Sequence, residues 1–217
     1  MLRRLVGLAG TGHPQWNAWD PTHKGDHFTL TNQNRTAAND IPTVTTGTVL
    51  SVYGKSSGVY QCEHTIDVQP VTGIIETGVA YQTVDLNAGM GAVENMWTWI
   101  ITSAGIKSNN TGQTPWETGT LIVTDVLGLL LDIAGNSLKY YKNGTLLSWD
   151  PFGWPGGPFS NIMRTSKDEP QYGPFAGTVY WAFRSIGATG GQITSNFGHT
   201  AFAFPIAGAS PMHGPST

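Results

Sequence analysis

The chain has 217 residues, a formal net charge of −3, 39% hydrophobic residues and only 12% charged ones. That length holds one large β domain or two small ones, and the charged share is about half the usual one. Arg3 and Arg4 are the one basic pair of note, too little to hold a phosphate backbone, so nucleic acid is excluded as a partner. No apolar run approaches the ~20 residues of a membrane span, and membrane insertion is not expected.

The lead-in, residues 1–15, is irregular and Gly-rich. Its apolar stretch is short and broken by glycine, so it reads as an extended docking arm carrying Arg3, Arg4 and Leu5, and not as a signal peptide. GLAGTG at 7–12 lacks the flanking strand and helix of a dinucleotide fingerprint. From Trp16 the pattern changes to short strands between turns. One surrounds Phe28 and Leu30, another covers 44–53, and a tight loop at 54–58 leads into Val59–Val68. In that strand Tyr60, Cys62, His64 and Ile66 share one face, and Gln61, Glu63, Thr65 and Asp67 share the other. Residues 74–81, 95–103 and 121–132 continue the series. Trp97 and Trp99 alternate on one face and, with Trp181, are expected in the core. Residues 126–131 are almost continuously apolar, as a strand covered on both faces must be. Ala134-Gly135-Asn136 breaks the run, 137–142 alternates, and Asn143-Gly144 is a strong hairpin signal because a type I′ turn needs positive φ at both central positions. A long Pro/Gly/aromatic segment, 148–177, precedes strands at 178–186 and 192–197. Residues 201–206 read as a trailing edge strand and 207–217 as a low-complexity tail. The 28 Gly and 13 Pro suit many turns, and no amphipathic helix of useful length appears. The expectation is one all-β domain, a two-sheet antiparallel sandwich, over 16–208, with an arm at 1–15 and a tail at 209–217.

Four blocks resemble one family. They are WDPTHKGDHFTLTNQNRTA within residues 16–37, GKSSGVYQCEHTID at 54–67, the 125–147 block, and GTVYWAFRSIGATGGQITSNFGHTAFAF at 177–204. Together they resemble the SPRY domain, and most closely its bacteriophage and bacterial branch. The resemblance implies a bent, concanavalin-like jelly-roll sandwich. Cys62 and His64 depart from it, standing where the family has an aromatic and an aliphatic residue. The segment 149–175 is also longer than the family's connection there.

The chemistry of catalysis and metal binding is thin. His23 and His27 are four apart, but Gly25 lies between them and no helical pattern places both on one face. His13, His199 and His213 are isolated, and His64 falls on an apolar strand face, so no metal and no cofactor are expected. Cys62 reads as a small buried hydrophobe, and a single cysteine rules out a disulfide framework. No Gly-x-Ser-x-Gly elbow is present. Glu63 and Asp67 lie about 13 Å apart by strand rise, too far for a retaining carboxylate pair. Asp125 and Asp132 match turn-forming positions of the family. The sequons at Asn34, Asn109 and Asn143 arise readily in a chain this rich in Asn and Thr. No enzyme activity is expected.

Trp149, Phe152, Trp154, Phe159, Tyr172 and Phe175 are interleaved with prolines, which lower the entropy lost on engaging a partner. These rings either contact a partner or fold back to cap the core. The resemblance implies recognition through loops, and phage versions sit in virion proteins. The expected role is therefore a non-catalytic bacteriophage virion structural protein, a decoration, cement or accessory protein on the particle surface. Its expected partners are other virion proteins and further copies of itself. The alternative is a tail or spike receptor-binding protein recognising a host surface glycan or protein, and a peptide adaptor is a more distant third.

Overall fold

The structure, a computed structural model, describes residues 15–39, 46–69, 74–87, 96–102, 105–108, 122–147, 175, 177–186 and 191–214. Within them every regular element is a strand: β1 (Trp19–Lys24), β2 (Phe28–Thr31), β3 (Thr36–Asn39), β4 (Thr46–Lys55), β5 (Val59–Val68), β6 (Ile74–Tyr81) and β7 (Met96–Thr102). They continue as β8 (Gly105–Ser108), β9 (Val126–Asp132), β10 (Ser137–Lys142), β11 (Thr145–Leu146), β12 (Val179–Ile186), β13 (Gln192–Asn196) and β14 (Ser210–Pro211). One sheet runs β1-β4-β12-β6-β7-β8, the other β11-β10-β9-β5-β13-β3-β2, with β14 pairing β5 in parallel. The remaining pairs are antiparallel, so the expected all-β, two-sheet sandwich is the fold.

Alternation builds the core between the sheets. Val49, Ile75, Val79, Val179, Trp181 and Phe183 project from one sheet and Cys62, Ile66, Leu127, Leu129, Leu131, Leu138 and Ile193 from the other, all buried in one cluster. Each fully buried Leu or Phe side chain contributes about 1.5–3 kcal/mol relative to exposure. Trp19 is the hub of the aromatic layer, edge-on to Phe197 at 5.0 Å between centroids and stacked on His64 at 5.8 Å. The Tyr140 hydroxyl crosses the gap to donate to the Thr77 carbonyl at 2.7 Å, which satisfies a polar tip inside the core and ties the sheets together. The outer face of the β1-to-β8 sheet carries a second cluster of Leu50, Ala80, Val84, Met96 and Ala182. Beside it Arg184 and Glu76 form a buried ion pair at 3.2 Å. Trp181 is fully buried as expected; the side chains of Trp97 and Trp99 lie outside the described residues.

Four expectations change. The strand expected over 121–132 begins only at Val126, because residues 122–125 close a turn through the Asp125 N–H to the Ile122 carbonyl at 3.0 Å. Residues 201–206 are not an edge strand. They cross the outer face of β5 as an irregular strap, held by Gln61 and Glu63. The tail expected from 209 is docked as far as Gly214: Ser210–Pro211 pairs with β5, Met212 is fully buried, and the Gly214 N–H donates to the Gln15 carbonyl at 2.8 Å. One apolar anchor in a Gly/Pro-rich stretch suffices once a strand edge is open beside it. Finally β1, β3 and β8 are strands that the pattern did not single out. β1 carries a bulge between Trp19 and Lys24, which breaks its alternation.

The hairpin turn is as read: Asn143 has φ 47° and Gly144 φ 80°, the left-handed pair of a type I′ turn. A Cβ on Gly144 would also lie 2.7 Å from the Phe204 ring. Replacing Gly144 with Ala should lower stability by about 1–2 kcal/mol, from the positive φ and the displaced ring. Urea denaturation with an unchanged m-value would show it; a neutral effect would mean the turn is not held in this geometry.

Candidate functional site

Of the residues singled out for binding, Trp149, Phe152, Trp154, Phe159 and Tyr172 lie outside the described residues, as do Arg3, Arg4 and Leu5. Phe175 is described. Its ring belongs to the main core, and its N–H donates to Asn136 Oδ1 at 3.2 Å, so the chain there seals the end of β9 and β10.

At the opposite end of those strands the structure builds a braced tip from the turn before β9 and the hairpin after β10. Asp125 is its centre. One carboxylate oxygen accepts from the Ile122 N–H at 2.8 Å and pairs with Lys142 Nζ at 3.0 Å, and the other accepts from Asn143 Nδ2 at 2.8 Å. Asn143 returns the contact by accepting the Val126 N–H at 2.9 Å. Burial pushes the Asp125 carboxyl up, but the Ile122 N–H, Asn143 and Lys142 outweigh it and hold the group below its usual range. Thr124, between these anchors, has φ 82°, a left-handed value that a β-branched residue rarely adopts. Such strain persists only where the surroundings over-determine it, and it gathers at functional sites. Its effect here is to turn Ile122 and Val123 outward, 59% and 47% exposed. The Thr124 N–H donates to the Ile66 carbonyl, which brings the turn beside the end of β5, where Val68 is also exposed. Three aliphatic side chains thus stand on a rigid polar frame. Sequence reasoning found Asp125 and Asn143 as turn formers but missed Ile122 and Val123, absorbing them into a strand. The signal was an Asp three residues after Ile122, placed to cap its N–H.

Of the face of β5 expected to be polar, Gln61 and Glu63 are buried and Thr65 and Asp67 half-buried. Glu63, 4% exposed, accepts the Ala203 N–H at 2.8 Å and the Phe204 N–H at 2.7 Å. Gln61 donates to the Phe204 carbonyl and accepts from the Ile206 N–H, both at 2.8 Å. On the inner face His64 bonds Ser195 Oγ through Nδ1 at 2.9 Å and touches Cys62 Sγ through Nε2 at 3.6 Å. Burial pushes the His64 imidazole down to about 3 and, with Glu63 adding, pushes the Cys62 thiol well up. Both are protonation states that suit packing and oppose nucleophilic chemistry.

The β1 bulge carries His23, whose Nδ1 donates to Asp20 Oδ2 at 2.8 Å while Nε2 meets Gln82 Nε2 at 3.0 Å. Among the described residues no three His, Cys, Asp or Glu side chains converge as a metal ion would need.

No protein-family model matches the sequence, and no curated protein matches it. Solved structures do. The SPRY domain of human HERC1 superposes with a TM-score of 0.57 at 13% identity, over 85% of this chain and 100% of that one. The TRIM65 PSpry domain gives 0.55 at 14% identity, over 84% of this chain and 92% of the other. At such identity the likeness is one of fold: the chain is a SPRY-like β-sandwich, the architecture expected from the four sequence blocks.

Two measurements probe the His64 layer and the strap. The unfolded His64 imidazole titrates near 6.5 and the folded one at about 3, so below 6.5 the unfolded chain binds the extra proton. This contribution to stability is complete above pH 6.5 and is lost as pH falls toward 3, at up to about 1.4 kcal/mol per pH unit. Denaturation between pH 7 and 5 should show that slope and His64→Leu should flatten it; an unchanged slope would assign the pH dependence elsewhere. Glu63→Gln turns an amide NH₂ toward backbone donors. It should cost about 1–3 kcal/mol and speed hydrogen exchange at the Ala203 and Phe204 amides, whereas unchanged exchange there would show that Glu63 does not hold the strap.

Proposed function

We propose that this chain is a non-catalytic recognition module on the surface of a bacteriophage particle, a decoration or cement protein that contacts other virion proteins and further copies of itself. The observation that carries the recognition reading is the braced tip: Asp125, Asn143 and Lys142 hold a strained turn that displays Ile122 and Val123 beside Val68. Exposed aliphatics on a pre-ordered frame lose little entropy on association and bury apolar area when a partner covers them. The SPRY-like architecture supports the same reading, since it presents connecting turns at the two ends of a rigid sandwich. The placement in a phage particle is supported by the four sequence blocks that resemble the phage branch of the family. The low charged share, 12%, suits close packing between neutral subunits.

The test is the copy number of this chain in purified particles, by quantitative mass spectrometry against the major shell protein. About one copy per few shell subunits is expected. A handful of copies would move the protein to a tail or spike, and absence from particles would end the virion reading. Ile122→Asp with Val123→Asp should abolish incorporation with no loss of thermal stability, because both side chains are exposed.

A further inference from the structure

We propose that Asn143 is a modification site gated by the Asp125 tip: hydrolysis of its amide through a succinimide is blocked while the tip is braced, proceeds when the tip opens, and then keeps the tip from closing again. The inference rests on the geometry of the tip and not on what docks there, so it is tested on the isolated chain and its failure would leave the virion reading untouched.

Asn143-Gly144 is the one Asn-Gly pair in the sequence, and both residues are exposed to water. A following glycine leaves the attacking amide nitrogen unshielded, because it has no side chain. The reaction needs only water. The Gly144 backbone nitrogen gives its proton to solvent base and bonds to Asn143 Cγ. The Cγ–Nδ2 bond breaks, and Nδ2 takes a proton from solvent and leaves as ammonia. Water then opens the imide ring at either carbonyl, leaving an aspartate or an isoaspartate at position 143. Water is consumed and ammonia released, with nothing oxidised or reduced.

The closed hairpin opposes the first bond. The ring forms only when the Gly144 nitrogen eclipses Asn143 Cβ about the Cα–C bond. A type I′ turn sets ψ of its first central residue to about 30°, which places that nitrogen nearly opposite Cβ. The turn is kept there by the pairing of Lys142 with Thr145 across β10 and β11. The side chain is fixed as well. Nδ2 donates to Asp125 Oδ1 at 2.8 Å, Oδ1 accepts the Val126 N–H at 2.9 Å, and the Asn143 N–H donates to the Val126 carbonyl at 2.9 Å. Attack on Cγ therefore requires the turn and the Asp125 contact to break together. Asp125 also holds the Ile122 N–H at 2.8 Å and Lys142 at 3.0 Å, so that opening involves the whole tip.

The product does not fit the frame. An aspartate puts an oxygen where Nδ2 met Asp125 Oδ1, so a hydrogen bond becomes two facing carboxylates. An isoaspartate lengthens the main chain of a two-residue loop by a methylene, which the Lys142–Thr145 register does not accommodate. In both cases Thr124 loses the surroundings that hold its φ at 82°, and the turn displaying Ile122 and Val123 relaxes.

The test follows loss of ammonia at Asn143 by peptide mass spectrometry, with heavy-oxygen water marking the products of ring opening. The full chain is incubated at mildly alkaline pH, folded in buffer and denatured in guanidinium chloride. The folded chain should react at least about tenfold more slowly, the scale of one hydrogen bond to a charged group. Asp125→Asn should speed the folded reaction about tenfold and leave the denatured rate unchanged. Separately, Asn143→Asp should speed hydrogen exchange at the Ile122 and Val126 amides while the β5 amides keep their protection. If Asp125→Asn fails to fold, the folded and denatured rates of the native sequence still decide. Equal rates in those two states, a folded Asp125→Asn chain no faster than the native one, or unchanged exchange at Ile122 and Val126 in Asn143→Asp would each overturn the proposal.

Discussion

A carboxylate withdrawn from water must be met by hydrogen bonds or by a cation, or it will not stay ionised where it is. Glu63 lies nearly closed off on the outer face of β5, and it is met by two backbone amides from the chain that passes over it. Much of that side of the molecule depends on this pairing. The strap at 201–206 runs where Gln61 and Glu63 can clasp it, Phe204 lands over the Gly144 turn, and the chain then returns to pair Ser210–Pro211 with β5 and sink Met212 into the core. The middle of a strand that alternates apolar and polar, Gln61 to His64, is thus buried on both faces, one by side chains and the other by main chain.

The inner face solves a different problem with the same strand. His64 is accommodated there as a neutral imidazole, bonded to Ser195, stacked on Trp19 and edge-on to Phe197. Burial pushes that imidazole down to about 3, which couples the centre of the core to pH. The groups exposed at the Asp125 tip, Ile122 and Val123, are held by the hydrogen bonds of that carboxylate at the far end of β9 and β10.

The sequence was most informative where structure is local. Continuous apolarity marked β9, alternation marked β5 and β10, and Asn143-Gly144 specified its own turn, because each depends on residues within a few positions of one another. The strap was illegible for the opposite reason. The partners of Ala203 and Phe204 lie 140 and 141 positions earlier, and AFAFPI taken alone looks like an edge strand. Met212 was hidden by composition, one anchor among Gly, Pro and Ser. Ile122 and Val123 were misread because only a left-handed Thr124, braced by Asn143 eighteen positions beyond Asp125, separates them from β9.

The Gly214 amide bonded to the Gln15 carbonyl has a mechanical meaning. The described chain enters and leaves the sandwich at one spot, edged by Trp16 and His213 in edge-to-face contact. Tension applied at the two ends would peel this contact and the two-residue β14 before reaching any long ladder. While that contact holds, load passing between the two ends runs through it and bypasses the long ladders, and once it breaks the sandwich itself enters the line of force.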